Sequence, residues 1–296
     1  MSSSGWVITA IELAGNVRMD KESRARDIVY GLSHPVWCYK IQLELIFLGD
    51  AAVKPVISFL LSGPTNEHEP RCLAAETLGI IGGEDALNGL IAALLAPFNV
   101  HDPVKALAEE AVRNCICHAL QKLGDKRAIE PLLIALARYH LVGAAEALAE
   151  FREQMAIPIL VSLLEDSFKR TRIYEALLKF GKDAVEELVK TTELKKLRED
   201  VEVLPSIERR AEAIKLLGII GDKNVIPWLL GFLDDEQELV RLEAAFSLLN
   251  LMGRSLPERA INIIKLSINN LNLNLDRRFR VKDALCLMNT RGGDSQ

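Results

Sequence analysis

Residues Arg71–Gly82, RCLAAETLGIIG, decide the fold of this chain. Leu73, Leu78 and Ile81 recur at the spacing that gathers apolar side chains on one face of a helix, while Ala74, Ala75 and Gly79 leave room for a second helix to come close. Gly82 then closes the helix and opens a turn. The same pattern returns at Arg210–Gly221, with Ala211, Ala213, Ile214, Leu217, Gly218 and Ile220, again at Arg113–Gly124, and more loosely at Arg170–Gly181. In each of these segments an arginine stands eleven residues before the closing glycine.

The closing glycines are Gly49, Gly82, Gly124, Gly181, Gly221 and Gly253, separated by 33, 42, 57, 40 and 32 residues. The long interval divides into two units of about 28 if Arg152 takes a glycine's place, so about seven helical hairpins are expected. A period in this range means a solenoid, in which each hairpin buries its apolar face only against its neighbours. The fourth unit is the degenerate one, with Arg152 for glycine and Leu141 for arginine; Cys38 replaces the arginine in the first, and Arg241 sits twelve residues before Gly253 in the seventh.

After each turn a second helix is expected, with Pro55, Pro131, Pro158 or Pro227 in or near its first turn, where a missing N–H breaks nothing. Acidic residues such as Glu165, Asp166, Asp234 and Asp235 often follow, placed to cap the next helix or to meet the arginine that begins it. Arg71, Arg113, Arg170, Arg210 and Arg241 therefore read as a structural ladder rather than a phosphate-binding one. Three stretches interrupt the period. Residues 62–70 and 96–105 read as longer loops, and 191–205, with Leu194, Leu197, Val201 and Leu204 three and four apart, suggests an extra amphipathic helix.

The segments LAAETLGIIGGEDAL, ALQKLGDKRAIEPLLIAL, AIPILVSLLEDS and AIKLLGIIGDKNVIPWLLGFLDDEQELVRLEAAFSLL resemble HEAT repeats of the alanine-rich subtype shared with phycobilisome lyase subunits. The resemblance covers about Val36 to Leu271. It implies an all-α fold, an α-α superhelix of about seven hairpins, with arginine-led helices on the concave side and proline-bearing helices on the convex side. The expected organisation is an N-terminal helical cap at 1–35, a repeat array at 36–271, and a C-terminal cap helix and tail at 272–296. Trp6, Val7, Ile11, Leu13 and Ile28 would close one end, and Phe279, Val281, Ala284, Leu285 and Leu287 the other.

Composition narrows the function. Hydrophobic residues make up 49% and aromatics 5%, so the core is aliphatic. With 36 basic and 41 acidic residues the net charge is −5, which does not suit a general phosphate-neutralising surface, and nucleic acid is not an expected partner. No apolar stretch reaches the roughly 20 residues of a membrane span. Five cysteines at irregular spacing do not suggest a disulfide framework, and together with the lack of a secretory leader they point to a cytoplasmic protein.

No convergent catalytic set emerges. Cys115 and Cys117 point some 200° apart on a helix and cannot share an ion, so they read as buried structural thiols. HEAT-like deoxyhypusine hydroxylases hold iron with several His-Glu pairs, whereas this chain has one, His68-Glu69, and none of its five histidines occupies matched repeat positions. HEAT-like DNA glycosylases use a basic, aromatic groove, and the ridge projected here is mixed in sign. That ridge comprises Glu76, His118, Lys122, Glu146, Glu150, Arg172, Glu175, Lys179, Glu212 and Lys215, and it suits a protein surface. Trp37, Tyr39 and Tyr174 could anchor a partner but read first as core, and Trp228 reads as structural. The expectation is a non-catalytic scaffold binding a protein along its concave face, without metal or cofactor. The resemblance implies as the alternative a bilin lyase or bilin-chaperone subunit acting on a phycobiliprotein, with bilin as its ligand.

Overall fold

The computed structural model describes residues 21–65, 67–97, 102–270 and 273–290. Trp6, Val7, Ile11, Leu13, His101 and the tail from 291 lie outside them. Among the described residues the chain is almost entirely helical and divides into two compact units at Glu153 and Gln154. The first unit holds α1 (21–28), then α2 (Cys38–Leu48), α3 (Asp50–Ser62), α4 (Glu69–Ile81), α5 (Glu84–Leu95), α6 (Pro103–Leu123), α7 (Ile129–Tyr139) and α8 (Val142–Glu150). The second holds α9 (Ile157–Ser162), α10 (Arg170–Phe180), α11 (Val185–Glu193), a short hairpin of β1 (Leu197–Arg198) and β2 (Val201–Glu202), α12 (Leu204–Ile220), α13 (Ile226–Gly231), α14 (Glu238–Met252), α15 (Glu258–Leu266) and α16 (Leu275–Thr290).

Each even-numbered helix from α2 to α14 ends at one of the expected turns and leads a hairpin; the odd-numbered helix after it follows. Within each unit the hairpins stack as an α-solenoid, with α2, α4, α6 and α8 side by side in the first and α12 against α14 in the second. The six glycines close their helices with φ between 56° and 82°, and Arg152 adopts φ 58° at the matching place in the fourth hairpin. A side chain in that left-handed conformation costs on the order of 1–2 kcal/mol, which is why glycine occupies the other turns. After two of the turns an aspartate starts a 3-10 helix by side-chain capping: Asp125 accepts from the Arg127 amide at 2.9 Å and Asp222 from the Asn224 amide at 3.0 Å.

Small residues govern the approach of leading helices. A methyl group at Gly79 would stand 2.9 Å from the Ala119 Cβ, and one at Gly218 would stand 2.4 Å from the Ser247 Oγ and 2.7 Å from its Cα. The aliphatic core, including Leu73, Leu78, Ile116, Leu120, Ile214, Leu217, Leu242 and Leu248, fills the layers between.

The ladder arginines share one geometry. Arg71 Nε donates to the Leu60 carbonyl at 2.8 Å, Arg113 Nη1 to Leu94 at 2.7 Å, Arg170 Nε to Leu164 at 2.8 Å, Arg210 Nε to Thr192 at 2.7 Å, and Arg241 Nη1 to Asp235 at 2.7 Å. Every acceptor lies at or just beyond the C-terminal end of a following helix, where the last four carbonyls lack intrahelical partners. Carboxylates complete the joint: Glu109 meets both Arg71 and Arg113, Glu208 meets Arg170, and Glu202 and Asp235 meet Arg210. Leu141, which replaces the arginine in the fourth hairpin, is buried.

Several expectations are corrected. Arg113 and Arg210 lie well inside α6 and α12, because both helices begin earlier, at Pro103 and Leu204. Pro55 is the sixth residue of α3 rather than part of its first turn, since that helix starts directly after Gly49. Residues 194–203 form no helix. Leu197 pairs with Glu202 and Arg198 with Val201, and the connecting Glu199 and Asp200 both take positive φ, the signature of a two-residue hairpin turn. Leu194, Leu197, Val201 and Leu204 are all exposed, so the three-and-four spacing builds no buried stripe; the side chain that turns inward is Glu202, drawn to Arg210 at 2.8 Å. Cys115 is joined to Cys72 in a disulfide across the contact of α4 and α6, with Cα atoms 5.4 Å apart, whereas Cys117 is a buried thiol whose pKa burial pushes up. At the C-terminal end Val281 and Ala284 are buried, but Phe279 and Leu287 face solvent.

The close approach at Gly218 gives a direct test. Gly218→Ala should lower unfolding free energy by about 1–3 kcal/mol through overpacking against Ser247. Gly231→Ala, where the added methyl meets nothing within 4 Å, should cause no loss. Urea unfolding of both variants checks the contrast, and equal stabilities would mean that the two helices have room to spare.

Candidate interaction surface

Counting back from each turn residue places the ridge on the leading helices. Six residues before the turn stand Leu43, Glu76, His118, Glu146, Glu175, Lys215 and Ser247; two before it stand Phe47, Ile80, Lys122, Glu150, Lys179, Ile219 and Leu251. In the first unit Glu76, His118, Lys122 and Glu150 are exposed and Glu146 is half-buried. Neighbouring helices are tied along this line. Gln42 Nε2 donates to Glu76 at 3.2 Å, and His118 Nε2 lies 2.8 Å from a Glu146 oxygen. Tyr39, one turn before Leu43, donates its hydroxyl to Glu69 at 3.2 Å, and that carboxylate raises the phenol pKa.

In the second unit Arg172, Glu175 and Lys179 are exposed on α10, but Glu212 and Lys215 do not form an open ridge. The terminal helix α16 reaches over them. Arg277 Nη2 donates to Glu212 at 3.0 Å and to Glu208 at 3.1 Å, and its Nε donates to Glu243 at 3.0 Å. Arg280 binds Glu243 at 2.8 Å and stacks 4.4 Å from the Phe246 ring centroid. Lys215 lies 3.4 Å from Asp276 and 5.4 Å from the Tyr174 ring centroid. Three carboxylates from α12 and α14 thus converge on two arginines of α16.

Burial raises the Glu212 pKa first of all, with Lys215 and Arg277 opposing and Glu243 adding to the rise. The same enclosure, with the Glu212 charge second, pushes the Tyr174 phenol up, and its hydroxyl is buried without a hydrogen-bond partner. Sequence reasoning missed Glu208, Glu243, Arg277 and Arg280. The signal that could have found them is the paired arginine at the start of α16, opposite glutamates that the repeat register puts on leading helices.

The aromatic expectations also change. Trp37 and Tyr39 are exposed rather than core, and Tyr174 is half-buried. Trp228 projects from α13, donates to Glu193 at 2.8 Å, and forms a wall of two hollows of about 580 and 520 Å³. Their acids are already engaged: Glu236 with Lys195, Asp235 with Arg210, Glu186 with Lys190. Among the described residues no group of three or more histidine, cysteine, aspartate and glutamate side chains is arranged to hold a metal ion, and no helix is long and apolar enough to cross a membrane.

Comparison with known proteins gives the repeats a type. Residues 142–166 and 209–235, which span α8 with α9 and the greater part of α12 with α13, match the family model described as PBS lyase HEAT-like repeat. The chain therefore carries HEAT-like repeats of the phycobilisome-lyase kind. None of the curated proteins matches it. Among solved structures, human deoxyhypusine hydroxylase in complex with glycerol is 16% identical, with 94% of this chain and 99% of that one covered and a TM-score of 0.37. The complex of CpcE and CpcF of phycocyanin lyase from Nostoc sp. PCC7120 is 22% identical, with 81% and 91% covered and a TM-score of 0.36.

The arginine–carboxylate cluster sets a stability test. Arg277→Ala removes the guanidinium that joins Glu208, Glu212 and Glu243, leaving Glu243 to Arg280 and Glu212 to Lys215, and should cost about 1.5–3 kcal/mol in chemical unfolding. Because the folded-state pKa of Glu212 is raised, its contribution is present at low pH and fades as pH climbs through the range just above the ordinary glutamate value. Glu212→Gln should remove that slope, so parallel pH profiles for wild type and variant would contradict the assignment.

Proposed function

From a chain that carries HEAT-like repeats of the phycobilisome-lyase kind, we propose a non-catalytic scaffold that binds a partner protein along the concave, leading-helix face. The observation that carries this reading is the exposed, mixed-sign ridge at fixed register: Glu76, His118, Lys122 and Glu150 in the first unit, Arg172, Glu175 and Lys179 in the second. Interspersed charges of both signs suit a protein surface, where complementarity steers association and rejects wrong partners. They do not suit a polyanion. Glu212 and Lys215 contribute through their cluster with α16 rather than as open contacts.

A second reading, a bilin lyase or bilin-chaperone subunit acting on a phycobiliprotein, is supported by the type of the matched repeats. Under it the ridge would receive the phycobiliprotein, so both readings share a protein partner. They differ in whether a bilin is carried.

Affinity capture from the native cell identifies the partner and reports colour in the same eluate. With that partner in hand, the double reversal Glu175→Lys and Lys179→Glu should weaken binding on the order of tenfold, more at low salt, with the melting temperature nearly unchanged. Equal binding by this variant would rule out the ridge on α10. Co-expression with bilin and a phycobiliprotein subunit separates the readings: a coloured acceptor selects the lyase role, and a colourless one removes it.

A further inference from the structure

Of the glycines within the α-helices described above, Gly79, Gly89, Gly143 and Gly218 are each held to that residue by a neighbour. A methyl group would stand 2.9 Å from the Ala119 Cβ at Gly79, 2.4 Å from the Ile57 Cδ1 at Gly89, 2.9 Å from the Asn114 carbonyl oxygen at Gly143 and 2.4 Å from the Ser247 Oγ at Gly218. Gly231, the last residue of α13, is different. Nothing lies within 4 Å of the place a Cβ would take, and its φ of −61° and ψ of −35° are ordinary helical values that any residue adopts. Glycine is the least favourable residue in a helix after proline, so neither packing nor backbone geometry explains its presence here. What the missing side chain leaves is space, the floor of the hollow of about 580 Å³ beside α13.

Trp228 and Phe232, three residues before Gly231 and one after it, line the same hollow. The Trp228 indole N–H donates to Glu193 at 2.8 Å, which fixes the ring, while 48% of the residue stays exposed. A large aromatic held rigid and half in water is the kind of anchor that protein contacts use. A cation already rests on this aromatic wall from the inner side. The Arg210 guanidinium lies 5.9 Å from the Phe232 ring centroid.

The charge around the hollow sets the sign of what enters it. Glu202 and Asp235 share the single guanidinium of Arg210, Asp234 meets Arg259, Glu236 holds Lys195 at 3.5 Å, and Glu193 makes no ion pair among the described residues. Two negative charges are therefore left over. The Lys195 to Glu236 pair lies near the surface, where such pairs contribute little and exchange readily. A guanidinium meets both features of the site, because it stacks flat on an indole face and forks onto a carboxylate, with less hydration to lose than an ammonium.

We propose that the hollow formed by Trp228, Gly231 and Phe232 receives an arginine side chain of a partner protein, stacked on Trp228 and drawn in by Glu193 and Glu236. The site lies on a following helix rather than on the ridge of leading helices. From the scaffold reading it takes only that the partner is a protein, and a free peptide reads the hollow without the ridge, so the two fail separately.

Emission from Trp228 is the readout, in the full chain carrying Trp6→Phe and Trp37→Phe, which leaves Trp228 as the one tryptophan. The probe is the heptapeptide Gly-Ser-Gly-Arg-Gly-Ser-Gly, blocked at both ends, beside the same peptide with glutamine or lysine in place of the arginine. The arginine peptide should change the emission saturably in the millimolar range expected of a single side-chain contact, and added salt should weaken it. The lysine peptide should bind more weakly and the glutamine peptide not at all. Gly231→Leu, which fills the hollow, should abolish the response while circular dichroism and urea unfolding stay unchanged. Glu193→Gln keeps an acceptor for the indole N–H and should weaken binding several-fold through charge alone. The proposal is overturned by a response that does not saturate, by one equal for the glutamine or lysine peptide, or by one that survives Gly231→Leu.

Discussion

A guanidinium held against the orphan carbonyls at the end of a helix is the constraint on which the array depends. A hairpin in a stack buries the C-terminus of its second helix under the next repeat, where water cannot serve its last carbonyls. Arg71, Arg113, Arg170, Arg210 and Arg241 bring donors to those carbonyls from the following leading helix. Burying that charge requires a carboxylate, and Glu109, Glu208, Glu202 and Asp235 supply it. At Arg71, Arg113, Arg170 and Arg210 the joint therefore links successive hairpins by carbonyl, guanidinium and carboxylate together, while Arg241 reaches the Asp235 and Glu236 carbonyls. Moving one hairpin by a turn would strand all three groups, so the contact sets register as well as cohesion.

The same chemistry shapes the ridge. With the ladder arginines turned back toward the preceding helix, most residues six and two positions before the turns are left to face outward, Ser247 being the buried exception. In the second unit α16 repeats the device with Arg277 and Arg280 on Glu208, Glu212 and Glu243, and closes that part of the ridge. On α10 Glu175 and Lys179 stay exposed, and in the first unit so do Glu76, Lys122 and Glu150. The exposed side chains of the leading helices are thus mixed in sign within each unit and apolar at α2.

Legibility in the sequence followed the range of each interaction. The hairpin count, the turns and the ladder could be read because helix periodicity, a left-handed turn residue and an arginine eleven positions earlier are local patterns. Even Arg152 in a glycine's place was visible, and its φ of 58° shows that the backbone holds the turn without glycine. Residues 191–205 misled because apolar spacing alone ignores what else competes for the segment. There a positive-φ pair at Glu199 and Asp200, and the pull of Arg210 on Glu202, outweigh a stripe that has nothing to pack on.

What the sequence by itself determined is the repeat: helix, turn, helix, the small residues at helix contacts, and the arginine that ties five of the units to the one before. Tertiary structure decided which charges stay available, through pairs such as Arg277 with Glu208 and Glu212, 69 and 65 residues apart, and which aromatics face water, Trp37, Tyr39 and Trp228 among them. It also joined Cys72 to Cys115 across two helices. The physical reason is that backbone preference and side-chain period act within a few residues. A buried ion pair exists only once the stacking of whole hairpins has brought its partners together and excluded the water between them.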